Sequence, residues 1–176
     1  MPKKSQPQTY FIQVMDRPAR KLILKRGVKA YHYFEYLQEV GHSVNGELKK
    51  IKGNLYEPCG MWLPKGLRNP GTSKFVMGVE MPADYKGKAP AGFEIIDLKP
   101  CKMMVFQGPP FADFPESAKA IMRLWAMLET FNPEPYGFAW ADDDGPRLQL
   151  EPDPKRGHIE LLPVRLLKKK VKSTYL

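Results

Sequence analysis

The chain has 176 residues, about one domain by the usual divisor of ~150. Hydrophobic residues make up 43% and charged residues 27%, which excludes wholesale disorder, collagen and coiled coil. No stretch approaches the ~18 uncharged apolar residues of a membrane span.

The start, MPKKSQPQTY, has no apolar core behind its lysines, so no secretory signal and no membrane partner are expected. Cys59 and Cys101 are too few for a disulfide framework, and a cytoplasmic location is expected. The net charge of +9 is unevenly placed. Residues 1–30 carry +7 and residues 165–176 carry +5, leaving −3 on the body. The expected layout is a disordered basic N-terminus over 1–8, a domain over 9–166 and a solvated basic tail over 167–176. Such ends favour only weak, salt-sensitive contact with polyanions.

Eighteen prolines and 14 glycines punctuate the chain into short segments, so a mixed fold is expected rather than a helix bundle. Residues 10–14 and 20–25 read as strand, interrupted at Arg17-Pro18, where a bulge or an edge position is expected. Residues 31–52 place Tyr33, Leu37, Val40, Val44, Leu48 and Ile51 on one helical face. Gly41 and Gly46 weaken that helix, which predicts a kink or a split.

Short strands follow at 60–63, 74–81, 93–98 and 102–106. The clearest helix covers 115–131, with Ala118, Ile121, Met122, Trp125 and Leu128 on one face and Pro115 in its first turn. The last strands cover 147–150 and 158–164. As types, the chain reads strand, helix, strand, strand, twice over. Each half ends with an acid shortly before a proline: Glu80 before Pro82, Glu160 before Pro163. The fold class expected is α+β: two β-α-β-β halves on a pseudo-twofold, an antiparallel sheet with helices on one face and a ligand cleft at the junction.

The sequence has no GxGxxG, Walker loop, HExxH, CxxC or GxSxG, and its three histidines lack metal-ligand spacing. No cofactor and no metal are therefore expected. Asp142-Asp143-Asp144-Gly145 lacks the alternating ligands of an EF-hand loop and reads as a solvated turn. The last strand is more informative. Alternation puts His158, Glu160 and Leu162 on one face and Ile159 and Leu161 on the other. Ile159 and Leu161 are the core pair expected to meet the helices. Glu160 then looks out on the other side, among candidate aromatics that include Trp62, Phe106, Tyr136 and Trp140. A carboxylate among aromatics is costly unless paired or neutral. It could hold a cationic aromatic ligand, or act as a base with His158 as its acid–base partner.

Several stretches together resemble a known family. They are Trp62-Leu63-Pro64, Arg68-Asn69-Pro70-Gly71-Thr72-Ser73, Gly78-Val79-Glu80-Met81-Pro82, Val105-Phe106-Gln107-Gly108, Pro146-Arg147-Leu148-Gln149-Leu150-Glu151-Pro152 and Gly157-His158-Ile159-Glu160-Leu161. In this order they resemble the GyrI-like small-molecule-binding domain, the effector-binding half of many AraC- and MerR-type regulators, over roughly residues 9–165. The resemblance implies two β-α-β-β halves, a cleft at their junction and a ligand-facing glutamate at the position of Glu160. It also implies a stand-alone layout, a branch of which hydrolyses cyclopropane-bearing DNA-alkylating natural products, while other members bind lipophilic cations and dyes. The chain departs from that branch at Asn45, where tryptophan is usual, at His158, where tyrosine is usual, and at Ala139 and Ala141, where acids are common.

The resulting expectation is a stand-alone binder of hydrophobic, planar, cationic small molecules. Glu160 would be the counter-charge and Trp62, Trp140, Tyr136, Phe106, Asn45 and His158 would line the site. One alternative is a hydrolase of strained electrophilic rings using Glu160, His158 and Tyr136. Another is a regulator acting through a partner protein. The first strand begins within about ten residues, which leaves no room for a DNA-reading helix pair, so direct sequence-specific DNA recognition is not expected. A monomer or a dimer fits equally.

Overall fold

The computed structural model describes residues 8–168. The expected basic N-terminus and most of the expected basic tail lie outside the described residues. Nine strands form one antiparallel sheet: β1 Phe11–Arg17, β2 Arg20–Arg26, β3 Cys59–Trp62, β4 Phe75–Pro82, β5 Glu94–Leu98, β6 Cys101–Gln107, β7 Phe138–Trp140, β8 Arg147–Gln149 and β9 Ile159–Leu166. Three helices accompany them: α1 Tyr33–Val40, α2 Val44–Lys49 and α3 Ser117–Thr130. The long apolar face of 31–52 is split as expected. Gly41 takes a positive φ of 93°, which glycine adopts without a Cβ penalty, and the chain turns there from α1 into α2. None of the described helices is long and apolar enough to cross a membrane.

The strand order is β1-β6-β9-β8-β3-β4-β2-β5, with β7 added beside β9. Read from the two ends, β1-β6-β9-β8 matches β5-β2-β4-β3. The halves are joined at their centre by the β3–β8 ladder, Met61 opposite Leu148. This is the expected pseudo-twofold α+β fold, with one addition. Each half is led by an extra edge strand, β1 or β5, that pairs with the other half.

That exchange forces the sheet to curl. Six spacings of about 4.8 Å separate β1 from β2 in the strand order, so a flat sheet would hold them about 29 Å apart. Only Pro18 and Ala19 join them, and three Cα steps reach at most ~11 Å. The Arg17-Pro18 interruption is thus no bulge in one strand: it carries the chain from one sheet edge to the other half. Lys99-Pro100 does the same between β5 and β6.

The curled sheet encloses its own interior. Met61, Val76, Leu148 and Leu161 lie side by side on the inner face and are buried. Glu80 shares that face and accepts from Arg17 and from Arg20 Nε at 2.7 Å, all three being buried. Arg20 Nη1 also donates to the carbonyls of Pro18 (3.1 Å) and Lys99 (3.3 Å), one in each short link. The triad pins the closure of the sheet. Register also separates the two acids that precede prolines: Glu80 faces inward and Glu160 outward.

The helices cover the outer face. Tyr36 of α1 meets Phe75 edge-on at 5.6 Å, and Leu124 of α3 packs with Met104, Phe106 and Val164. Ile159 and Leu161 therefore do not meet the helices as expected. They point into the curled sheet, and Glu160 faces the helical layer. The physical reason is the curl, which gives the sheet an interior that needs no helix to seal it.

Candidate functional site

The outer face of the central β3–β8 ladder carries Trp62 opposite Arg147 and Gly60 opposite Gln149. Gly60 is what lets the Phe75 ring lie flat here, since a Cβ would come within 2.7 Å of it. Helices α1 and α3 stand over this seam and leave two cavities. An aromatic cavity of about 440 Å³ is walled by Tyr33, Phe34, Trp62, Phe75, Phe114 and Trp125, with Asn45, Gln149 and Glu151 as polar groups. A polar cavity of about 500 Å³ is lined by Tyr31, Trp62, Trp125, Trp140, Lys74 and Arg147, among others. His32, Trp62 and Trp125 line both cavities and form their common wall.

The wall is tightly built. Trp62 Nε1 donates to the Tyr31 carbonyl at 2.8 Å, and the Trp62 and Trp125 rings meet edge-on at 6.4 Å. His32 stacks on Trp125 at 5.9 Å. Glu35 holds the start of α1 by accepting from the Tyr31 N–H at 2.8 Å and the His32 N–H at 3.3 Å. These bonds, the one from Tyr31 foremost, keep its carboxyl below the usual carboxylate range.

Glu160 lies behind this wall and is fully buried. Its carboxylate accepts from Trp125 Nε1, from Arg147 Nε at 2.7 Å and from Arg147 Nη2. His158 Nε2 stands 3.0 Å away. The Arg147 guanidinium rests on the Trp62 ring at 5.1 Å, a cation–π contact. A buried carboxylate needs this many partners to offset its lost hydration. Glu160 was expected to look into an aromatic pocket in need of a cation; it already has one, Arg147.

The structure brings together only part of the expected site. Trp62 lines both cavities, Asn45 the aromatic one and Trp140 the polar one. His158 and Glu160 are sealed and line neither. Phe106 is fully buried beneath α3 against Phe131. Tyr136 is exposed and stacked on the outside of Phe131 at 5.5 Å. Neither reaches a cavity: Phe131 and Trp140 help enclose Phe106 in a separate apolar cluster, and Tyr136 stays on the outside of Phe131. Sequence reasoning missed His32, Arg147, Gln149 and Trp125. Arg147 and Gln149 had a signal in strand alternation: they alternate with buried Leu148, so their face was determined once Leu148 pointed inward.

No protein-family profile matches the chain, and no curated protein does either. Solved structures are similar in fold. One, from Staphylococcus aureus MU50, is described as a bacterial transcription regulation protein. It shares 15% identity over 88% of this chain and 98% of its own, at a TM-score of 0.57. Another, SAV2435 bound to tetraphenylphosphonium, shares 15% identity over 88% of this chain and 94% of its own, at a TM-score of 0.58. At these identities the likeness is one of fold, and it agrees with the α+β pseudo-twofold architecture that the GyrI-like resemblance implied.

Proposed function

We propose that the chain is a binding module for hydrophobic, planar, cationic small molecules, which it takes into the aromatic cavity. One observation carries the reading: the cavity is walled by aromatic rings, and the charged side chain in its lining is a carboxylate, Glu151. Ring faces and a carboxylate both attract a delocalised cation and give an anion nothing. Glu151 is half exposed and stands 3.5 Å from Lys49, a loose surface pair that a ligand cation can replace at little cost. Asn45 Oδ1 adds a buried acceptor without a partner among the described residues, suited to a ligand N–H. In this reading Glu160 acts at one remove, fixing the Trp125 indole in the wall. The tetraphenylphosphonium carried by SAV2435 is a hydrophobic aromatic cation, tetrahedral rather than planar, and supports the choice of probe for the charge and the aromatic contacts.

The hydrolytic alternative needs Glu160 or His158 within reach of water and substrate. Both are sealed, and Tyr136 stands outside, so no observation favours it. Action as a regulator through a partner remains compatible with binding but has no surface of its own to argue from.

The experiment is a titration with tetraphenylphosphonium and with its neutral relative triphenylphosphine oxide, followed by mass analysis of both compounds. Preferential binding of the cation, with both compounds recovered unchanged, supports the module. Equal affinity for both, or no binding of either, overturns it.

A further inference from the structure

The polar cavity is a second site with a different chemistry. Its charged lining is sorted. Lys65, Arg68 and Lys74 come from the segment joining β3 to β4, whereas Glu129 closes α3 and Asp142 and Asp143 follow β7. None of these six forms an ion pair among the described residues. The sheet sets their positions. β7 and β8 pair with the same edge of β9, opposite β6, and the β3–β8 ladder ends at Trp62 and Arg147, so the acidic turn before β8 and the basic segment after β3 leave the sheet side by side. Asp144 is tied to Arg165 of β9, which anchors the acidic turn on its side.

The middle of this cleft is aromatic. Trp62, Trp125 and Trp140 all line it. Two cations lie against its rings: Lys74 over Tyr31 at 5.3 Å and Arg147 over Trp62 at 5.1 Å. The Trp62 indole is fixed by its hydrogen bond to the Tyr31 carbonyl. Arg147 spends Nε and Nη2 on Glu160, while its remaining nitrogen makes no hydrogen bond and is not buried. Unlike charges left unpaired on different segments around one aromatic cavity each attract one charge of a ligand and repel the other. A ligand that carries both charges, set apart, satisfies both groups.

We infer that the polar cavity binds planar aromatic zwitterions, with the anionic group at Lys74 and Arg147 and the cationic group at Asp142 and Asp143. This goes beyond the cation site of the neighbouring cavity and does not depend on it.

The test uses norfloxacin, a fused planar ring with a carboxylate at one end and a secondary ammonium at the other. Nalidixic acid supplies the anion alone and phenylpiperazine the cation alone. Each is titrated into the wild type, Lys74→Gln and the pair Asp142→Asn with Asp143→Asn. The substituted side chains are exposed or half-exposed, and a melting curve of each variant confirms that it folds. Norfloxacin should bind about fivefold or more tighter than either single-charge compound, and each variant should weaken it by about threefold, the scale of one partly exposed ion pair. Lys74→Gln should weaken nalidixic acid and spare phenylpiperazine, and the Asn pair should do the reverse. Equal binding of the three compounds, or variants that leave norfloxacin unchanged, overturns the site. Competitive displacement of norfloxacin by tetraphenylphosphonium also overturns it, since that would put both in the aromatic cavity. Failure of tetraphenylphosphonium to bind would count against the cation module alone.

Discussion

Arg147 grips the Glu160 carboxylate through two of its nitrogens, and in the sheet it stands directly opposite Trp62. One guanidinium thus neutralises the buried acid and covers the central tryptophan. An acid matched in this way contributes to the site's rigidity more than to its charge.

Glu160→Gln follows from that relationship. Losing one partner of a buried pair costs about 3–5 kcal/mol, and the partial exposure of Arg147 should bring the loss toward the lower end, about 2–3 kcal/mol. Urea denaturation should show this loss, while the preference for cationic over neutral ligands changes little. A variant of unchanged stability that no longer distinguishes cation from neutral would make Glu160 the counter-charge after all.

The second carboxylate lies on the inner face. Glu80→Ala strands Arg17 and Arg20, both buried, at the point where the two short links cross. The expected cost is about 3–5 kcal/mol, again by denaturant titration. Glu151→Gln, on the surface, should cost less than about 0.5 kcal/mol. Equal costs for the two substitutions would mean that the triad does not close the sheet.

Glu35 ties α1 to the cavity wall and gives the fold an acid-sensitive latch. Its carboxyl ionises below the ordinary value of 4.5. A depressed folded pKa means that its stabilisation is present above the unfolded value and is lost as pH falls through the folded value. Stability followed from about pH 6 to 3 should therefore decline below about pH 4.5, and Glu35→Gln should flatten that decline. Parallel curves for both proteins would remove Glu35 from the acid response.

Much of this fold was legible in the sequence, and the reasons differ from element to element. The split of 31–52 followed from Gly41, a local effect. The strands followed from alternation, which also placed Glu160 and His158 on one face. What lay beyond that face was not legible, because it depends on the pairing of β1 with β6 and β5 with β2, contacts between residues 70–96 apart in sequence. Those pairings curl the sheet, turn Ile159 and Leu161 inward and hand Glu160 to α3. Tyr136 and Phe106 were placed in the site by residue type alone; the Phe131 cluster holds Phe106, and Tyr136 stacks on the outside of Phe131. Trp125 was read as one more apolar residue of a helix face; its indole N–H, which needs an acceptor when buried, was the overlooked clue.

The central claim is that the aromatic cavity receives the ligand, and the three tryptophans allow it to be tested residue by residue. Trp62 and Trp125 line that cavity, whereas Trp140 lines only the polar one. Pairwise replacement by Phe leaves one tryptophan as the sole indole reporter in each variant. On titration with tetraphenylphosphonium, the variants retaining Trp62 or Trp125 should show a saturable change in emission, and the variant retaining Trp140 should not respond. A response confined to Trp140, or none from any of the three while the compound is shown to bind, would contradict the account.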